Sequence, residues 1–391
     1  MTLPGVARLA GIEAIRVFLD PSHIALAAQL SDWADRELSS RTAPTSDSEA
    51  RTSARDLLTL LASEGLLRSV AEQDLRALCL TREAVAARST LADALIAIQA
   101  LVAIPLLLAG SDKQRRLWLE PLLSGRAIGA FAMSEPEAGS DVASIRTTAR
   151  ADGDSWILDG GKHLISNAGI ADVYLVFAST TPGAGSRGLS AFLVPADASG
   201  LQFGGRQVTM APHPLGTIRL EGCRVPGTAI VGECNRGFHL GMATLDWVRP
   251  SVGAAASGMA TRALTEALTH AASRRQFGEP LASFQIVREK IGRMATLLEA
   301  SRLLVYRAAW QRDRYHERIT LESAMAKSFA TESAQEIVDE AVQIAGGLGV
   351  VIGHPVEHLY RAVRALRIYE GATEIQRLIV AGELFGHQSE R

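Results

Sequence analysis

The stretch SWILDGGKHLISNAGIADVYLVFAS, Ser155–Ser179, decides how this chain must be divided. Short apolar runs (WIL, LI, VYLVFA) alternate with Asp, Gly, Ser and Asn every few residues, a texture of strands and turns. Gly160-Gly161 is expected to make a hairpin turn, with Leu164, Ile165 and Ser166 as a short strand after it. The pattern runs outward from Ile145 to Glu233, where SAFLVP and TIRLEG add further strands. Together they read as a small antiparallel sheet.

On both sides the period becomes helical. Before the sheet, Leu26, Leu30 and Trp33 recur at helical spacing, and ARDLLTLLASEGLL repeats the idea. Ser111 reads as an N-cap and Gly125 as a stop. After Gly237, one stripe runs through Val248, Val252, Ala255, Met259, Leu264 and Leu268, with Pro250 near a helix start or kink. A second stripe begins at Val287, and a third ends at Gly346-Gly347. The last helix covers Thr373 to Leu384. The expected class is α+β: an N-terminal helical domain (1–126), a central antiparallel β domain (127–236) and a C-terminal four-helix bundle (237–391). A cleft beside such a sheet is a natural ligand site.

Bulk properties narrow the function. The 391 residues are 47% hydrophobic and 21% charged, with a formal net charge of −2. That profile belongs to a folded chain and gives no electrostatic reason to expect nucleic acid or an anionic membrane. Three cysteines, Cys79, Cys223 and Cys234, stand at unrelated spacings, and no histidine pair has metal-ligand spacing, so neither a disulfide framework nor a metal site is suggested. The start, MTLPGVARLAG, lacks the basic and apolar regions of a signal peptide, and the expected location is cytoplasmic. The apolar run Ala94–Gly110 is shorter than a span and holds Gln99 and Pro105, so it is expected to be a core helix.

Five stretches could carry chemistry, and each has an ordinary structural reading beside it. AFAMSEPEAGSD (Ala130–Asp141) is a turn that could show hydroxyls and backbone N–H groups to a ligand. DGGKHLIS ends in polar groups beside a strand. In SRRQFGEPLASFQ, Arg274 and Arg275 cap a helix or grip a phosphate, and both readings stay open. QIAGGLG is a helix stop, or a glycine cluster that admits a ligand close to the backbone. In LRIYEGATEIQR (Leu366–Arg377), Glu370 is a carboxylate in an otherwise apolar setting, where a buried ion must be paired or used.

In this order and spacing the five segments resemble the acyl-CoA dehydrogenase family of flavoproteins. The likeness spans nearly the whole chain and is weakest before residue 90. It implies FAD lying extended between the β domain and the bundle, and a homo-oligomer, commonly a dimer of dimers. Phe131, Met133 and Ser134, with Gly139 and Ser140, match the flavin-side segment, and Ser140 also lies toward the acyl-CoA. Leu164, Ile165 and Ser166 match the other side of the ring. Arg274, Gln276, Phe277, Gln285, Gln343, Gly346 and Gly347 resemble the set that grips the cofactor of the neighbouring subunit. Ala372, Thr373 and Glu374 match the pyrophosphate or ribityl contact.

Glu370 falls where the resemblance places the base that takes the Cα proton of an acyl-CoA thioester while a hydride leaves Cβ. Its backbone N–H would help to hold the growing charge on the thioester oxygen. Tyr369, Gly371, Asp246 and Arg249 match positions at the substrate end, Gly371 leaving room for the thioester. The plainer alternative pairs Glu370 with Arg367 or Arg249. Leu164 stands where the family usually has tryptophan, and Ala372 where it has threonine; both point away from the commonest straight-chain fatty acyl substrate. An electron-transferring flavoprotein is the implied acceptor. An acyl-CoA oxidase, a dehydrogenase of carrier-protein thioesters, and a silent scaffold are the alternatives on the same fold.

Overall fold

The structure, a computed structural model, describes residues 11–386. By contact they group into two compact units. One holds the chain up to Ala43, Asp74–Asp93 and everything from Arg249; the other holds Pro44–Gln73 and Ala94–Val248. Helices longer than two turns are α1 (Pro21–Glu37), α2 (Asp47–Ser63), α3 (Leu75–Ala86), α4 (Thr90–Ala109), α5 (Gly237–Ser273), α6 (Gln285–Tyr315), α7 (Thr320–Ala345), α8 (Pro355–Val363) and α9 (Thr373–Leu384).

The second unit is built on a seven-stranded sheet: β1 (Gly129–Ala132), β2 (Thr148–Asp152), β3 (Ser155–Ser166), β4 (Val173–Ser179), β5 (Leu189–Pro195), β6 (Leu201–Arg206) and β7 (Leu215–Pro226). The strand order is β1-β4-β2-β3-β7-β6, with β5 on β4. Most pairings are antiparallel; β1 and β2 run parallel to β4. Every residue of β4 is buried, which explains its unbroken apolar run.

The expected hairpin at Gly160-Gly161 is not formed: β3 runs straight through both glycines. The ladder with β7 instead slips between Leu158 and Gly160, and again between Lys162 and Ile165. Gly160 takes φ +147, and a Cβ there would lie 2.7–2.8 Å from Thr147 Oγ1 and Cα. The glycines therefore bend a strand rather than reverse it. The second slip holds Leu164 at φ +55 and leaves it 54% exposed.

Helix α4 is long and apolar enough to cross a membrane, yet 78% of its apolar window is buried within the fold. Pro105 sits inside it rather than ending it. Gln99, wholly buried, donates through Nε2 to the Leu122 and Ala127 carbonyls, each at 2.8 Å, and accepts from Gly129 N at 2.7 Å. One amide thus satisfies three backbone groups at the entry to the sheet. Arg51 on α2 does similar work at the other end, donating to Ala168 O (2.7 Å) and Leu215 O (2.6 Å). Ser111 does cap a helix, with Gln114 completing the capping box.

In the first unit α1 packs on α3, and α6 packs on α3 and α7. The expected stripes are present: Val252, Ala255, Met259 and Leu264 on α5, and Met294, Leu298 and Val305 on α6, are buried. Pro250 lies well inside α5, not at its start; at 37 residues the helix tolerates the lost hydrogen bond. Helix α9 has the expected bounds, Thr373–Leu384.

Gln99→Leu is expected to lower stability by about 3 kcal/mol, because three buried backbone groups lose their partner. Chemical denaturation of the two proteins measures it; an unchanged midpoint would mean that the three groups find other partners.

Candidate active site

Glu370 and Gly371 form the left-handed corner between α8 and α9, at φ +54 and +96. A non-glycine residue at such an angle is strained and persists only where its surroundings hold it. Three side chains from three helices do so. Arg249 Nε (α5) donates to the Glu370 carbonyl at 2.9 Å. Lys327 Nζ (α7) donates to the Gly371 carbonyl at 2.7 Å, and Gln376 Nε2 (α9) donates to the same oxygen at 3.1 Å. A Cβ on Gly371 would collide with Gln376 Nε2 and lie 3.3 Å from Arg249. Glycine is therefore demanded here by the chain itself.

The clamp leaves one carboxylate oxygen unused. Glu370 Oε2 is buried without a hydrogen-bond partner. Arg367, one of its expected counterions, is taken by Glu332, Nε to Oε1 at 2.7 Å. Arg249 reaches the Glu370 backbone carbonyl through Nε. Burial raises the Glu370 pKa above the ordinary carboxylate value, while the charges of Arg82, Lys327 and Arg249 oppose the rise. Burial also brings Lys327 down to about 8, with Glu370 resisting.

Arg82 belongs to a pair of its own. It meets Asp93 side-on at 2.7 and 2.9 Å and donates to Ser251 Oγ at 2.9 Å, with 1% and 2% of the two charged side chains exposed. Burial holds the neighbouring Tyr369 phenol well above its usual pKa despite Arg82. A fixed backbone, a carboxylate raised by burial and an unsatisfied lone pair make a group able to accept a proton.

The sheet unit gathers the expected ring-side residues. His163 N donates to Ser134 O at 2.9 Å, bringing Met133-Ser134 beside Leu164. Lys162, fully buried, donates to Met133 O (3.1 Å) and pairs with Glu135 (2.7 Å). Glu135 in turn accepts from the backbone N–H groups of Arg146 and Thr147. Leu164 N donates to Gln207 Oε1 at 2.8 Å, holding the bulge. Ser134 and Ser166 are half-buried, Phe131 packs on Phe177, and Gly139 and Ser140 are exposed. Asp246 is buried in the sheet unit, on α5.

These residues fit a flat aromatic cofactor. An aliphatic side chain is presented at a bulge, with half-buried hydroxyls on adjoining strand ends, and a Cβ at Gly139 would meet nothing within 4 Å. Ala372 is the N-cap of α9, and Thr373 and Glu374 form its first turn, where backbone N–H groups suit phosphate. Arg274, Gln276, Phe277, Gln285, Gln343, Gly346 and Gly347 are all exposed in the single chain; Phe277 is 94% exposed. Arg274 closes α5, which stops at Ser273, its N–H donating to the His270 carbonyl at 2.8 Å, whereas Arg275-Gln276 already begins a two-strand ribbon with Glu279-Pro280.

Several participants escaped the sequence reading: Arg82, Asp93 as its partner, Lys327, Gln376, Lys162, Glu135 and His213. Lys327 had a signal, being a lysine on an otherwise apolar helix face in ESAMAKSFA. Arg82, between LCLT and AVAA, had the same one.

The sequence was compared with known proteins. The family description "Acyl-CoA dehydrogenase, C-terminal domain" matches residues 235–385, and "Acyl-CoA dehydrogenase, middle domain" matches 130–223. A 3-(aryl)acrylate reductase of Clostridium sporogenes is 42% identical over 73% of this chain and 76% of its own. The human mitochondrial short-chain specific acyl-CoA dehydrogenase is 44% identical over 72% of this chain and 68% of its own. The structure of butyryl-CoA dehydrogenase from Megasphaera elsdenii superposes with a TM-score of 0.88 at 30% identity, covering 94% of this chain and 99% of that one. A chain in the structure of the electron transferring flavoprotein of Acidaminococcus fermentans gives a TM-score of 0.88 at 31% identity, covering 94% and 98%. The chain belongs to the acyl-CoA dehydrogenase family and is an FAD-dependent oxidoreductase.

Proposed function

We propose that the protein dehydrogenates an acyl-CoA thioester between Cα and Cβ, with Glu370 as the base for the Cα proton. The observation that carries this reading is Glu370 Oε2, buried without a partner on a left-handed residue whose carbonyl is clamped. Bound FAD supplies the acceptor for the hydride that leaves Cβ. Raising the carboxylate's proton affinity makes it a stronger base, while Arg82, Lys327 and Arg249 keep enough of it ionised to act. The clamp on Glu370 and Gly371 holds the residue whose N–H we assign to the thioester oxygen. Tyr369, Asp246 and Arg249 order the substrate end.

On the cofactor we assign Phe131, Met133, Ser134, Gly139, Ser140 and Leu164–Ser166 to the ring side and Ala372–Glu374 to the pyrophosphate or ribityl part. The exposed set from Arg274 to Gly347 grips the cofactor of a neighbouring copy in a dimer of dimers. An electron-transferring flavoprotein takes the electrons, in the cytoplasm. The likeness to a 3-(aryl)acrylate reductase favours a second reading, an aryl-bearing acyl group handled in the opposite direction.

Anaerobic titration of the FAD-loaded protein with straight-chain, branched and 3-arylpropanoyl thioesters is expected to bleach the flavin with one class. Flavin bleached by none of them would sink the reading. Glu370→Gln is expected to retain FAD and lose roughly 10²- to 10⁴-fold in the rate of bleaching; undiminished bleaching would put the base elsewhere.

Lys327→Met removes a cation that favours ionised Glu370. The base works only when ionised, so activity falls as pH drops through its pKa. The acid limb of kcat/KM should therefore move to higher pH in this variant, and a move to lower pH would show that Lys327 does not act on Glu370.

A further inference from the structure

Ser166 ends β3, and the chain opposite it carries His213. The strands are in register at Ser166–Leu215, and Asn167 N donates to Pro214 O at 2.7 Å. His213 Nε2 lies 2.7 Å from Ser166 Oγ, while His213 Nδ1 is buried with no hydrogen-bond partner. Arg51, fixed to Leu215 O and Ala168 O on either side, and Asp47, paired with Arg51 at 2.8 Å, are the charged groups that face the ring, both from α2. Burial first, and then the Arg51 charge, bring His213 down to about 4, with Asp47 opposing. The imidazole is neutral at neutral pH, so one nitrogen carries a proton and the other does not.

Only one arrangement avoids a stranded donor. With the proton on Nδ1, a buried N–H would have no acceptor, and Nε2 would consume the serine's own proton. With the proton on Nε2, the ring donates to Ser166 Oγ and leaves a bare Nδ1 lone pair. Orphaned buried N–H groups are the rarer defect. Among the described residues Ser166 Oγ has no other hydrogen bond.

We propose that His213 is a positioning residue that, as the Nε2–H imidazole, donates to Ser166 Oγ and so commits the Ser166 hydroxyl proton to an acceptor atom of the cofactor. The proposal rests on the reading that Ser166 faces the flavin. A serine hydroxyl alone rotates among three wells and can donate in any of them. Held by His213, it is an acceptor on the protein side and a donor on the open side. The direction of the cofactor hydrogen bond is then set by a residue outside the five recognised segments.

Two measurements test it. In protein labelled with ¹⁵N-histidine, the His213 signal, identified by its absence from His213→Gln, should show Nε2 protonated and Nδ1 bare, unchanged between pH 8 and pH 5, with FAD and without. Protonated Nδ1 overturns the proposal and leaves the cofactor reading untouched. FAD affinity is the second readout. Glutamine can place an amide N–H near the Nε2 position, so His213→Gln should bind within about twofold of the parent. His213→Leu and Ser166→Ala should each weaken binding about fivefold to tenfold, and the double variant no further than Ser166→Ala alone. Additive losses mean that His213 acts without Ser166 and overturn the proposal. Undiminished binding by Ser166→Ala removes Ser166 from the cofactor, and the proposal fails on that reading instead.

Discussion

Two consecutive carbonyls, those of Glu370 and Gly371, hold the active corner by accepting from Arg249, Lys327 and Gln376. Without these donors a left-handed glutamate followed by a left-handed glycine would relax, and the carboxylate would reach water or a counterion. Cations serve twice here: their N–H groups fix the backbone and their charge tempers the basicity of the group the backbone carries. Two effects of opposite sign meet at one carboxyl. Dehydration raises its proton affinity, and three buried cations lower it, so the base is poised by a difference rather than by either alone.

The sheet unit solves its own version of this problem with the same chemistry. Lys162 donates to the Met133 carbonyl as Lys327 does to that of Gly371, and burial brings each lysine down to about 8. Glu135 answers Lys162 and also ties the Arg146-Thr147 backbone, so one ion pair fixes the approach of two strands. A buried ion pair is a weak source of stability but a strong source of position, because its geometry admits few alternatives. The bulge that shows Leu164 to solvent sits between this pair and the His213–Ser166 contact. It is thus held from both sides.

The helix–sheet–helix order was legible because burial writes its own period. β4 is apolar from Val173 to Ala178 since it is covered throughout, and α9 runs from Thr373 to Leu384 as the pattern from Thr373 indicated. What misled was glycine: Gly160-Gly161 has the composition of a turn, but its use is decided by Thr147, a neighbour that only the folded chain supplies. Glu370 could be singled out locally, as a carboxylate without local excuse. Of its environment only Arg249 was legible, because Arg82, Lys327 and Gln376 come from three other segments and each alone reads as an ordinary helix residue. His213 is the extreme case: its meaning is a single contact across a sheet, with no periodicity to announce it.

Helix α4 is apolar on every side, and Gln99, its one polar residue between Ala94 and Ala109, finds its partners only at Leu122, Ala127 and Gly129. All three are synthesised after it. As the chain emerges from the ribosome, the helix is complete before anything that satisfies its amide exists. For that interval it has the appearance of a membrane segment. A newborn chain from which residue 110, but not yet residue 129, has left the ribosome is therefore the form most exposed to aggregation and to capture by factors that recognise greasy helices. In biogenesis, the critical step is the arrival of one short loop.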